Sequence, residues 1–224
     1  MYLVFAPFVI GAYLLGSIPF GLIITKAHGK DLRSIGSGNI GATNVARALG
    51  KKWGYICFAL DVFKGLVPTL AALPIVAAKS IESQDKEIIL NSLWLAVGCA
   101  AIVGHIFPVY IKFKGGKGVA TSFGVALGLW PYYTICALIA ISVWVVVVSI
   151  WRYVSLASIA ASVVFALALI SAIALVPGWK FASLWPLIIA ATAIPLMVII
   201  RHRENIKRLL TGTEPKIRQD KEIS

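Results

Sequence analysis

Between Ser34 and Arg47 the chain reads Ser34-Ile-Gly-Ser-Gly-Asn-Ile-Gly-Ala-Thr-Asn-Val-Ala-Arg47. Glycines such as Gly38 and Gly41 let backbone amides come close to a ligand, while Ser37, Asn39, Thr43 and Asn44 offer neutral hydrogen bonds. A loop of this kind can cradle a phosphate. A helix starting near Gly41 would add its unpaired first amides, and Arg47, six residues on, could fold back as a charged fork. The same composition also suits a capped turn between two helices, so the loop alone leaves both readings open.

A second segment, Phe113-Lys-Gly-Gly-Lys-Gly-Val-Ala-Thr121, lacks the G-x-x-x-x-G-K-[ST] spacing of a nucleotide-binding P-loop. Gly115, Gly116 and Gly118 nevertheless lead into a short apolar stretch from Val119, placing Lys117 at a helix start where an anion is stabilised. Lys112 and Lys114 fit an ordinary basic turn; three glycines around Lys117 do not. Gly104-His-Ile-Phe-Pro108 precedes this loop and puts His105 beside it. In Arg201-His-Arg-Glu-Asn-Ile206, His202 and Asn205 share one helical face at i, i+3. Asp61 and Lys64 are another i, i+3 pair inside an apolar run, where charges normally face protein, and are read as structural support.

These groups are carried by a chain built for lipid. Of its 224 residues 59% are apolar and only 13% charged, too apolar for a soluble domain. Spans of about 20 apolar residues fall at Tyr2–Thr25, Trp53–Ala78, Ile88–Tyr110, Tyr132–Trp151, Val154–Val176 and Phe181–Ile200, with a shorter stretch at Val119–Trp130. The fold class is therefore all-α and polytopic. Basic residues decide the count, because they concentrate in cytoplasmic loops. Seven crossings, one of them short, with the N-terminus outside and the C-terminus cytoplasmic, place 17 Lys and Arg on the inner segments and 3 on the outer ones. Six crossings would put the seven basic residues of the C-terminal segment outside. All the motif loops then share the cytoplasmic face.

The remaining composition is mostly exclusion. The net charge of +12 is explained by basic loops, so no nucleic-acid partner is expected. Cys57, Cys99 and Cys136 are odd in number and scattered, which supports no disulfide framework; no metal and no cofactor is expected. The first 26 residues lack a basic start and a cleavage site and are read as a retained span. Residues 1–212 are read as one integral-membrane domain, and 213–224 as a loose polar cytoplasmic tail.

Taken together, six ordered motifs resemble the bacterial acyl-phosphate:glycerol-3-phosphate acyltransferases, the PlsY family. They are Tyr13-Leu-Leu-Gly-Ser-Ile-Pro-Phe-Gly21, the glycine-rich run ending in Arg47, Gly104-His-Ile-Phe-Pro108, the Lys117 loop, Arg152-Tyr-Val-Ser-Leu-Ala-Ser158 and Arg201-His-Arg-Glu-Asn-Ile206. The resemblance covers nearly the whole chain. It implies a seven-helix enzyme of the bacterial inner membrane that makes lysophosphatidic acid from glycerol 3-phosphate and acyl phosphate, among membrane lipids and with no obligate protein partner. It places the essential serine and arginine on Ser37 and Arg47, the glycerol-phosphate loop on Gly115, Gly116, Lys117 and Gly118, and the third motif on His202, Asn205 and a structural Glu214. His105 matches the Gly-His-x-Phe-Pro histidine.

The physics agrees with that reaction. Two dianionic phosphates about 6 Å apart repel by roughly 10 kcal/mol at an effective dielectric of 20, so such a site must supply cations. Acyl phosphate is already activated, and no Ser-His-Asp spacing or reactive-cysteine context occurs. Direct transfer is expected, with Ser37 as hydrogen-bond donor and either the substrate phosphate or His202 taking the proton. An anion or lipid-phosphate transporter is the alternative, although the internal repeat expected of one is missing.

Overall fold

The computed structural model describes residues 2–78 and 83–217. Lys79, counted above on an outer segment, and residues 218–224 of the expected tail lie outside them. Ten α-helices follow in order: α1 Tyr2–Gly16, α2 Phe20–Ala27, α3 Ala42–Leu49, α4 Lys51–Ala77, α5 Gln84–Ile106, α6 Val119–Gly128, α7 Tyr132–Trp151, α8 Val154–Leu175, α9 Phe181–Arg201 and α10 Arg203–Leu210. Among the described residues there is no strand. Six helical segments are long and apolar enough to cross a membrane, and α6 is a shorter apolar helix. This is an integral, multi-pass membrane protein.

The first expected span is not one helix. Pro19 has no amide to donate and its ring opposes the preceding turn, so α1 stops at Gly16 and α2 begins at Phe20. The break frees a carbonyl in an apolar setting, and the Lys64 ammonium donates to it, Nζ to Ile18 O at 2.9 Å. The same ammonium pairs with Asp61 at 2.8 Å, both side chains almost fully buried. The intramembrane pair thus repairs a broken helix end.

Small residues bring together the helices that hold the loops. A Cβ on Gly65 of α4 would collide with the Thr121 carbonyl of α6, and one on Gly124 of α6 with the Val62 carbonyl. Glycines at 16 and 104 seat α1 against α5 in the same way. Trp94 of α5 donates its indole N–H to Thr69 O of α4 at 2.8 Å. The main core, including Phe5, Trp94, Val97, Val125, Leu129, Tyr133 and Leu187, lies among α1, α5, α6, α7 and α9. A second cluster of Leu32, Ile40, Val45, Ala48 and Cys57 lies beneath the glycine-rich loop.

Candidate active site

Arg47 belongs to α3, which begins, as expected, at Gly41: that residue is the N-cap and has no side-chain cap, so it leaves helix-start amides toward the loop. The loop is held by one side chain. Asn44 is buried; its Oδ1 accepts from Ser37 N at 3.1 Å and its Nδ2 donates to Leu32 O and Ile35 O at 3.1 and 2.9 Å. Its amide thus holds the loop, at a residue the sequence also marked as a substrate contact. Asn39 accepts from Gly41 N at 2.9 Å, Gly38 takes a φ of 65°, and Ser37 is exposed.

The Lys117 loop differs from expectation. Gly115 N donates to Ile106 O at 3.2 Å and Gly116 N to His105 O at 3.1 Å, so these two amides are not free to cradle phosphate. Their carbonyls face Arg201, whose Nη2 donates to Gly116 O at 3.0 Å and lies 3.4 Å from Gly115 O. The glycines are there for closeness: a Cβ on Gly116 would strike the His105 Nε2. His105 is buried, with Nδ1 3.7 Å from Asp61 Oδ1, and supports the loop from beneath. Gly118, with φ 89°, turns the chain into α6 and leaves Lys117 at its start.

Lys117 Nζ donates to Asn205 Oδ1. Asn205 Nδ2 donates to Glu214 Oε1 at 2.6 Å, Ser155 Oγ to the same oxygen at 2.7 Å, and Arg208 Nε to Glu214 Oε2 at 2.7 Å. Glu214 is buried and joins α8, α10 and the C-terminal segment behind the lysine. Residues 213–217 are therefore not a loose tail, since Ile217 N also donates to Arg152 O at 2.9 Å. Burial would raise the Glu214 carboxyl, but the bonds from Asn205, Ser155 and Arg208 outweigh it and hold it below its usual value. Burial pulls the Lys117 ammonium down to about 8; Glu214 opposes the shift, and Arg208, Arg47 and Arg201 add to it.

His202 sits at the bend between α9 and α10, 3% exposed. Its Nδ1 lies 2.7 Å from Val198 O, and a carbonyl can only accept, so Nδ1 carries the proton and Nε2 is left as the acceptor. Burial, aided by Lys117, lowers its pKa to about 4.

One cavity of about 490 Å³ gathers Ser37, Asn39, Gly41, Thr43, Asn44, Arg47, Asp61, His105, Lys117, Gly118, His202, Asn205 and Glu214. Gly38, Lys64, Gly115 and Gly116 stand behind its wall. The cavity continues into an apolar chamber between α6, α7, α8 and α9, lined by Tyr133, Ala137, Ala140, Ala161, Phe165 and Ile194 among others. Sequence reasoning did not single out Ser155, Lys51, Arg201 and Arg208. Ser155 stood inside a quoted motif, and Lys51, the first residue of α4, lines the same cavity.

A cationic pocket opening into an apolar chamber among membrane-length helices defines a class: an integral membrane protein that brings an anionic head and a hydrocarbon chain together. The chain belongs to the glycerol-3-phosphate acyltransferase family, whose pattern matches residues 6–212. A glycerol-3-phosphate acyltransferase of Aquifex aeolicus is 46% identical over 208 residues, covering 92% of this chain and 95% of the relative. One from Geotalea daltonii is 44% identical over 209 residues, covering 92% and 94%. Crystal structures of PlsY, an integral membrane glycerol 3-phosphate acyltransferase, superpose with TM-scores of 0.78 for its glycerol 3-phosphate form and 0.75 for its lysophosphatidic acid form. Each is 44% identical and covers 96% of both chains. Membership of an acyltransferase family removes the ground for the transporter alternative.

Proposed function

We propose that this protein transfers an acyl group from acyl phosphate to the sn-1 hydroxyl of glycerol 3-phosphate, giving lysophosphatidic acid and inorganic phosphate. The observation that carries the reading is the single cavity joining Arg47 and Lys117 to a hydrocarbon-sized chamber. The two cations offset the repulsion of two bound phosphates. Ser37, Asn39 and Thr43, with the backbone at Gly118, orient the polar substrate. Asn205, backed by Glu214, aims the Lys117 ammonium.

The hydroxyl oxygen attacks the acyl carbon directly, the carbon–oxygen bond to phosphate breaks, and phosphate leaves as a stable anion. The substrate phosphate takes the hydroxyl proton, and His202, whose Nδ1 proton is committed to Val198 O, offers Nε2 as the acceptor that orients the attacking group. Ser37 is not acylated. Seven crossings with the N-terminus outside put the site on the cytoplasmic face of a bacterial inner membrane, where lipid shelters the acyl tail. Residues 1–212 act as one membrane domain, completed by Glu214.

Purified protein in detergent, supplied with glycerol 3-phosphate and acyl phosphate alone, is expected to form lysophosphatidic acid. No product would overturn the reading. Radiolabelled acyl phosphate without acceptor should leave the protein untagged; a stoichiometric adduct on Ser37, chased by glycerol 3-phosphate, would replace direct transfer with an acyl-enzyme.

A further inference from the structure

The apolar chamber has a depth and a floor. At its polar mouth Trp144 of α7 donates Nε1–H to Ser158 Oγ of α8 at 3.3 Å, which fixes the antiparallel register of the two helices. From Ser155 to Phe165 the α8 wall runs ten residues, about 15 Å at 1.5 Å per residue. The α9 wall from His202 to Ile194 and the α6 wall from Gly118 to Ala126 each run eight residues, about 12 Å. Three walls starting at the polar site thus reach a similar level. At that level Tyr133 and Phe165 meet edge to face, ring centroids 5.1 Å apart at 85°. Tyr133 is 1% exposed, and its hydroxyl donates to Leu187 O of α9. The ring is held from both sides. Above it, Ala137, Ala140 and Ala161 leave the space open.

We propose that the Tyr133–Phe165 pair is the length stop for the acyl chain and sets which acyl phosphates the protein uses. The proposal rests on the acyl-phosphate reading above. An all-trans chain advances roughly 1.3 Å per carbon, the axial projection of a C–C bond of about 1.52 Å. A depth of about 15 Å therefore takes about a dozen carbons before the terminal methyl meets the rings. Longer chains bend at the floor, and the cost falls on the chain rather than on the glycerol 3-phosphate end. Tyr133 and Phe165 are specificity residues; they do not touch the reacting atoms.

Ala161 lies one helical turn above Phe165 on the same face of α8, so Ala161→Phe raises the floor by about 6 Å, four residues of helix rise. Phe165→Ala lowers it. Turnover is measured with decanoyl, lauroyl, myristoyl and palmitoyl phosphate at fixed glycerol 3-phosphate. Ala161→Phe is expected to cut the palmitoyl-to-decanoyl ratio of kcat/KM at least tenfold, the lower end of what methylene discrimination in an apolar pocket yields. Phe165→Ala is expected to raise it. A packing defect scales all donors alike and leaves the ratio where it was. If Ala161→Phe does not fold, Phe165→Ala and Ala137→Leu carry the same test in opposite directions. Unmoved ratios in folded variants of an active enzyme would overturn the length stop alone. A wild-type protein inactive with every acyl phosphate would overturn the acyltransferase reading and the length stop with it.

Discussion

Lys117 is the residue on which charge, geometry and chemistry converge. Its ammonium is held near a pKa of about 8 by burial, so it is charged below that pH and is lost as pH rises through it. Because kcat/KM reports the free enzyme, kcat/KM for glycerol 3-phosphate should fall above about pH 8. Lys117→Arg should keep its charge and move that falling limb to higher pH. A limb that stays in place would assign the titration to another group. Glu214 is predicted to act on the same limb, since its carboxylate raises the Lys117 pKa. Glu214→Gln keeps the side chain's shape but removes that charge, and with it part of the bonding to Arg208 and Asn205. Its limb should shift toward lower pH and its stability should drop by about 2 kcal/mol, the scale of a charge-assisted hydrogen bond. Loss of stability with an unmoved limb would make Glu214 a fastener only. The sequence named Lys117, Asn205 and Glu214 but not their chain of contacts, because residues 88 and 9 positions apart meet only through helix packing.

The elements around the site show which signals were local. The starts of α3 at Gly41 and α6 after Gly118 were legible, because glycine caps and the onset of apolar residues act within a few positions. The break between α1 and α2 was written in Gly16, Ser17 and Pro19, yet apolarity ran across it and masked it. The purpose of the glycines in the Lys117 loop was not legible. Gly115 and Gly116 resembled a phosphate cradle, but their amides go to Ile106 and His105 carbonyls, and only α5 packed beside the loop reveals why no side chain fits. Gly116→Ala should therefore displace the loop from His105 and raise the KM for glycerol 3-phosphate about tenfold. Adding His105→Ala removes the clashing ring and should restore part of that loss, a coupling of about 0.5–3 kcal/mol for residues in contact. Purely additive losses in the double variant would place the obstruction at the substrate instead.

At the scale of the whole molecule, apolar run length located every membrane-length helix, since a bilayer demands that length whatever the packing. Orientation follows from a different physics, the retention of Lys and Arg on the cytoplasmic side. The 17 to 3 partition predicts one arrangement over its inverse, with the glycine-rich loop, the Lys117 loop, α10 and Glu214 on the cytoplasmic side. The same partition predicts the connection before α5 on the outward side. The native cysteines offer little background, since Cys57 and Cys136 are buried and Cys99 is half-buried. Single new cysteines at Ser34 and Arg203, both exposed, should then resist a membrane-impermeant thiol reagent in intact cells and react after permeabilisation. One at exposed Gln84 should react in intact cells. The reverse pattern would invert the protein and move its site to the outer face. Labelling of Ser34 and Arg203 from opposite sides would mean an odd number of crossings between them, with α6 ending inside the membrane rather than traversing it.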